Sequence, residues 1–265
     1  MKTVYVCSDT VTGIFSAVYD AWRAGTKAEE RGIALRDCLE MELFCDYVQV
    51  EETERKAAAV DGMIRKNLGL FAYRNIYQAV LAADARKGSA VLGTLLAARN
   101  LSDSRRIMEH LSCPDVGKVF ELSRSVGNEA HLLTEFIRFR ELESGVMYSP
   151  ITPKSQVLTC LAPHFADRFP LENWMIHDKT HHAFAVHEAR KRWVIVQEER
   201  GGTDGGCGAA GGRQEMFGQI SEKEAEYEVL WKSFCKTIAI KERENPVCQR
   251  GHLPLWYRPN MTEFC

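Results

Sequence analysis

Hydrophobic and polar positions change period several times along this chain, and each change marks a predicted element. Thr3–Cys7 is a nearly continuous apolar run, the pattern of a short buried strand. Ser8, Asp9 and Thr10 follow with cap-type side chains, and Ile14, Val18, Ala21 and Trp22 then recur at helical spacing. The chain therefore opens as strand, turn and helix. A mixed apolar stretch after Asp37 becomes strand-like from Tyr47 to Val50, and a helical pattern then runs to Gly69. Two Ala-, Leu- and Val-rich segments without proline, Phe71 to Ala83 and Ser89 to Arg99, predict adjacent helices. Pro114 suits the start of another helix, Gly127 is expected to break it, and a short helix resumes at Asn128.

From about Phe136 the period falls to two. Ile137, Phe139 and Glu141 alternate with Arg138, Arg140 and Leu142, and Glu143-Ser144-Gly145 predicts a turn into a second strand. Helical spacing returns through Val157, Leu161, Phe165 and Phe169, with Pro163 expected to bend or restart the helix. Three strand-like pieces follow, at Asn173–Asp178, His182–His187 and Arg192–Gln197. Their short connections predict an antiparallel meander. Ser221 with Glu224 forms a capping box, and Tyr227, Leu230, Trp231, Phe234 and Ile238 make one apolar stripe on the last helix, which Asn245-Pro246 is expected to end. The predicted fold class is α+β, a helix-rich chain with a small antiparallel sheet in its C-terminal half. Residues 1–85 read as a strand-helix region and 86–265 as a core domain.

Composition sets bounds on function. The 265 residues are 45% hydrophobic and 26% charged, an ordinary globular balance, and a formal charge of −2 creates no global field that would attract nucleic acid. Phosphate binding must then come from a local patch. Nine cysteines, an odd number with no C-x-x-C pair, suit reduced thiols rather than a disulfide framework. With no cleavable apolar leader and no apolar run long enough to span a bilayer, a cytoplasmic protein without membrane association is expected. The glycine-rich loop 201–212 lacks the Lys-Ser/Thr ending of a Walker motif and the strand-to-helix setting of a dinucleotide fingerprint, so it reads as a flexible surface loop. No iron–sulfur cysteine triad and no zinc-deaminase signature is present.

Three stretches, Val126–Leu142 (VGNEAHLLTEFIRFREL), Ile151–Asp178 and Cys235–Phe264, carry a resemblance that covers most of the chain and is densest from about Lys118 onward. The sequence resembles a bacterial family of DNA metabolism proteins, encoded beside a radical SAM protein assigned to DNA repair and related to domains fused to uracil-DNA-glycosylase-like proteins. That resemblance implies a DNA-repair setting and a radical SAM partner. It supplies no reaction and no catalytic set.

Candidate chemistry comes from local clusters. Period-two geometry puts Arg138 and Arg140 on one strand face, either as phosphate ligands or as members of an internal Arg–Glu network. Glu129, His131 and His164 are the candidates for proton transfer, His164 with Asp167 and Arg168 on one helical face. Arg190, Lys191, Arg192 and Trp193 crowd a hairpin tip, and Arg250, His252, Trp256, Tyr257 and Arg258 line the tail, basic groups beside aromatics that suit phosphates and a stacked base. That tail also reads as a strap over apolar surface. His177, Asp178, His181 and His182 sit close in sequence, but neighbouring strand positions face opposite ways, so neither a metal site nor a cofactor is expected. Three functions compete: an accessory protein binding DNA, single-stranded or at a flipped base, or the radical SAM partner, or both; an enzyme acting on a nucleobase, nucleotide or DNA end by His/Glu acid–base chemistry; or a purely protein-binding scaffold.

Overall fold

The apolar run that opens the chain becomes the middle strand of a parallel sheet. In the computed structural model, which describes residues 2–25, 31–198 and 219–264, β1 (Lys2–Cys7) leads through Ser8–Thr10 into α1 (Val11–Arg23). The Thr10 hydroxyl caps α1 by accepting the Gly13 N–H at 2.9 Å. β2 (Arg31–Leu35) and β3 (Cys45–Gln49) pair in parallel on either side of β1, so Val4 lies between Gly32 and Tyr47. β2 carried no clear periodic signal, being five residues that begin Arg-Gly. α2 (Glu54–Leu81) follows, and the stop expected at Gly69 is a kink: Gly69 takes φ +82°, a left-handed conformation open to glycine, and the helix then continues. α3 (Lys87–Arg99) completes the packing on α1, α2 and β2. Val6, Ile14, Val18, Ile64, Ile76 and Val91 are all wholly buried in this core.

α4 (Pro114–Phe136) runs unbroken through Gly127. An interior glycine costs a helix only about 1 kcal/mol, and buried Val119, Val126 and Leu133 on the same helix outweigh it. The chain forms two compact units, Met1–Asn128 and Glu129–Cys265, so their boundary falls inside α4.

The second unit is built on a five-stranded sheet, β4 (Arg140–Glu141), β5 (Met147–Ile151), β6 (Trp174–Asp178), β7 (Ala183–His187) and β8 (Val194–Gln197), in that spatial order. The hairpin β4–β5 and the meander β6–β7–β8 are antiparallel, as the spacing predicts. β5 and β6 are parallel, because α5 (Leu158–Arg168) intervenes and returns the chain to the same end. The sheet is thus mixed rather than purely antiparallel. One sheet face is filled by Trp174, Ile176 and Ala185, with Trp174 stacked on His187 at 5.0 Å and Phe139 against Phe165 at 5.2 Å. The other carries Tyr148, His177, Phe184, Val194 and Val196.

α6 (Glu222–Ile238) starts at the expected cap, Ser221 Oγ accepting the Glu224 N–H at 3.1 Å, but ends at Ile238. Asn245 does not end it; it caps a new short helix, α7 (Pro246–His252). An apolar stripe such as that of α6 predicts a covering partner, yet no residue of α6 is buried. The glycine-rich loop 201–212 lies outside the described residues.

Candidate nucleic-acid interface

Arg138 lies just before β4 and Arg140 on it, and each meets a carboxylate. The Arg138 guanidinium donates to Glu263 Oε1 at 2.8 Å and to the Glu135 and Ile137 carbonyls. Arg140 Nε lies 2.8 Å from Glu228 Oε1, both side chains less than a fifth exposed. Of the two readings, the geometry gives the internal Arg–Glu network: Arg138 fastens the tail and Arg140 fastens α6. Burial is the largest single influence on the Glu263 carboxyl and would raise it, but the hydrogen bond and charge of Arg138, joined by a backbone N–H and the Trp231 side chain, together hold it below the usual range.

The other two basic clusters are separated by the strand directions. The hairpin tip follows the C-terminal end of β7, where the Arg190 N–H donates to the Pro170 carbonyl at 2.8 Å. Arg190 holds φ +63°, and Arg190, Lys191 and Arg192 are exposed beside half-buried Trp193. Lys191 pairs on the surface with Glu188 at 2.7 Å. The tail instead docks just past the C-terminal end of β5, where the Trp256 indole donates to the Thr152 carbonyl at 2.7 Å and the Asn260 amide meets the Thr152 hydroxyl at 3.3 Å. That end of β5 lies beside the N-terminal end of β7. Five-residue strands at about 3.3 Å per residue therefore hold the clusters on the order of 15 Å apart, at opposite ends of the sheet.

Within the tail, the strap reading holds. Met261 and Thr262 are buried, Tyr257 packs on Phe136 at 5.4 Å, and Leu255 stays exposed. Arg258 serves the tail itself, donating to the Leu253 carbonyl and lying 4.8 Å from the Phe264 ring. Arg250 and His252 are exposed on α7, and the Lys154 ammonium stands 5.9 Å from the Trp256 ring.

The acid–base candidates do not converge. Glu129 accepts the backbone N–H groups of Lys154 and Ser155 at 2.6 and 3.1 Å, so its carboxylate pins the loop before α5. His131 is three-quarters exposed and faces Glu135 at 3.3 Å. His164 is exposed, edge-on to Phe165.

The histidine-rich hairpin splits into three separate pairs. Asp178, almost wholly buried, holds His181 Nδ1 at 2.6 Å; His182 meets Glu198 at 3.0 Å; His177 Nδ1 lies 2.8 Å from the Tyr148 hydroxyl and stacks on Phe184 at 4.3 Å. Burial pushes the Tyr148 phenol up to about 12 and lowers His177. Among the described residues no three His, Cys, Asp or Glu side chains are grouped to hold a metal.

One constellation went unrecognised in the sequence. In the first unit the Glu52 carboxylate accepts the Ser8 N–H at 2.7 Å and the Ser8 hydroxyl at 2.6 Å, at the carboxyl ends of β1 and β3. Lys87, wholly buried, pairs with Asp9 at 2.5 Å and donates to the Ala82 carbonyl. A Cβ at Gly13 would sit 2.6 Å from Ser8 Oγ, so only glycine lets α1 approach this knot. Burial, reinforced by Glu52 and Asp9, pushes the adjoining Cys7 thiol up to about 12, leaving it protonated and unreactive. Ser8 and Lys87 stand in ordinary cap and helix-start positions, which is why the spacing gave no warning.

No helix among the described residues is long and apolar enough to cross a membrane. Comparison with curated proteins gives no match. A family model does match, over residues 86–263, from the start of α3 through the docked tail. On that match, across two thirds of its length, the chain belongs to the family of the domain of unknown function DUF4130.

Proposed function

We propose that this chain is an accessory protein of DNA repair or modification that binds nucleic acid through the β7–β8 hairpin tip and works beside a radical SAM partner. The observation that supports it is the exposed Arg190-Lys191-Arg192 run with Trp193 adjoining: three cations project from a turn, and Arg190 and Arg192 have no carboxylate partner among the described residues. With the net charge slightly negative, attraction is local and limited to a few phosphates. An aromatic next to such a run favours an unstacked base, and so single strands or flipped bases over intact duplex. The acid–base alternative has less support, since Glu129 is committed to backbone N–H groups and both histidines face solvent.

Fluorescence anisotropy with labelled single-stranded and duplex oligonucleotides over a salt series tests this reading. Two or three phosphate contacts correspond to a log–log slope of about −2 to −3 on duplex DNA. The double change Arg190→Ala/Lys191→Ala is expected to weaken binding on every sequence and flatten the slope. Arg138→Ala/Arg140→Ala is expected to leave binding intact in folded protein, since both side chains are already neutralised. No binding at low salt, or binding untouched by the tip variants, would overturn the proposal.

A further inference from the structure

Among the described residues β8 is the last strand of its sheet, and only β7 pairs with it. Its apolar side chains are open on both faces: Val194 is 53% exposed, Ile195 36% and Val196 46%. An uncovered apolar edge strand is a template for another strand, which natural proteins otherwise blunt with charge, proline or a bulge. None of those devices interrupts Val194–Gln197.

Backbone parity fixes what that edge offers. The Glu198 N–H donates to the His182 carbonyl at 2.8 Å, so these residues form a hydrogen-bonded pair. Such pairs recur at every second residue of an antiparallel ladder. Val196 and Val194 therefore also spend their backbone groups on β7, and Trp193, Ile195 and Gln197 direct theirs outward.

We propose that β8 is the interface of a homodimer, in which two copies of the strand pair antiparallel about a two-fold axis through Ile195. In that register Ile195 exchanges both backbone hydrogen bonds with Ile195 of the second copy, and Trp193 does so with Gln197 of the second copy. Val194 then faces Val196, and Arg192 faces Glu198, at the close, non-hydrogen-bonded positions. The second copy is the occupant that the charges select. Cations precede the strand at 190–192 and Glu198 follows it, an order complementary to its own antiparallel image. Moving the axis one rung, to Trp193, would set Arg192 against Val194 and Arg190 against Val196, and lose both charge pairs. The arrangement is isologous and closes on itself, joining two five-stranded sheets into one. Four-residue strands bury less area than a standard permanent interface, so the dimer dissociates on dilution.

Sedimentation equilibrium of the full chain, without nucleic acid, from low to high micromolar concentration is expected to show the mass rising from one chain towards two. Ile195→Pro removes an outward N–H and none of the bonds to β7, and is expected to abolish the rise. Arg192→Glu and Glu198→Arg each set like charges opposite one another twice in the dimer. Each is expected to weaken self-association at least about tenfold, and the double exchange to restore it. Circular dichroism verifies that each variant folds; should Ile195→Pro fail there, the charge exchange decides. A chain monomeric throughout, or a dimer indifferent to the charge variants, would overturn the proposal while leaving the oligonucleotide measurements to stand by themselves.

Discussion

Two helices with equally legible apolar stripes, α1 in the first unit and α6 in the second, end in opposite environments. Ile14, Phe15, Ala17, Val18 and Ala21 of α1 are at most 1% exposed, while Tyr227, Leu230, Trp231, Phe234 and Ile238 of α6 are 42–62% exposed. Periodicity identifies the face a helix can bury; it carries no information about what lies opposite. α1 has β1, α2 and α3 to pack against. α6 is held by polar groups, by Arg140 on Glu228, by Trp231 of the stripe on Glu263 in the tail, and by the Ile220–Leu142 bridge just before it.

The sharpest way to break this contrast is to place a carboxylate on each stripe. Val18→Asp buries an unpaired charge in a wholly buried position, and is expected to cost roughly 3–5 kcal/mol and to unfold the first unit under mild denaturant. Leu230→Asp leaves its side chain in solvent, and is expected to stay within about 0.5 kcal/mol of wild type. Urea titrations followed by circular dichroism compare the two. A large loss at Leu230 would mean that α6 is covered in solution.

The tail tests the same contrast within the second unit, because it is anchored by Met261 rather than by its exposed leucine. Met261→Ala is expected to destabilise that unit by about 2–5 kcal/mol, and Leu255→Ala by much less, since Met261 is 1% exposed and Leu255 59%. Deleting the chain after Asn245 removes Met261, Tyr257 and the Arg138 partner together, and is expected to lower the melting temperature further. An unchanged melting curve would sink the strap reading.

These cases show which parts of the molecule its sequence exposes. The strands β5 to β8, the caps at Thr10 and Ser221, and the α+β class were legible because each depends on neighbours a few residues away. β2 was not: Arg31–Leu35 gains its strand character from pairing with β1, a contact across nearly thirty positions of sequence. The parallel β5–β6 pair was likewise hidden, since a short helix between strands leaves their direction open. At the candidate interface, spacing put Arg138 and Arg140 on one strand face, but β4 begins only at Arg140 and Arg138 lies before it. Their partners, Glu263 and Glu228, lie far along the chain, and no local pattern could reveal that both guanidinium groups were already occupied.

Removing one of those partners has a smaller effect with a definite pH sense. Arg138→Ala leaves the Glu263 carboxylate, 14% exposed, without its guanidinium donor, a loss of roughly 1–3 kcal/mol for a group that sheltered. Glu263 titrates below its ordinary value in the folded chain, so the contribution is complete above the unfolded carboxyl pKa of about 4.3 and fades as pH falls through the lower folded value. Melting curves of wild type and Arg138→Ala are expected to lie apart at neutral pH and to converge in acid. Curves that remain parallel down to strong acid would show that the pair contributes no charge-dependent stability.

The smallest expected effect belongs to His177, which has the opposite environment from exposed Val196, two strands away on the same sheet face. Burial lowers the imidazole below its ordinary 6.5, and the Glu198 carboxylate opposes this less strongly. Neutral His177 suits its hydrogen bond, because the Tyr148 phenol, held up to about 12, keeps its proton and donates it to Nδ1. The unfolded chain takes up a proton at this residue near pH 6.5 while the folded chain does not until lower pH. The unfolded state thus binds more protons below 6.5, and folding stability falls as pH drops from 7 through the folded value, with no contribution from this group above 7. His177→Gln keeps a polar partner for Tyr148 but cannot titrate there, so its melting temperature is expected to vary less than that of wild type between pH 7 and 5. Equal slopes for the two proteins would show that His177 titrates as a solvent-exposed histidine, and that the Tyr148 side of the sheet is as open as the Val194–Val196 edge.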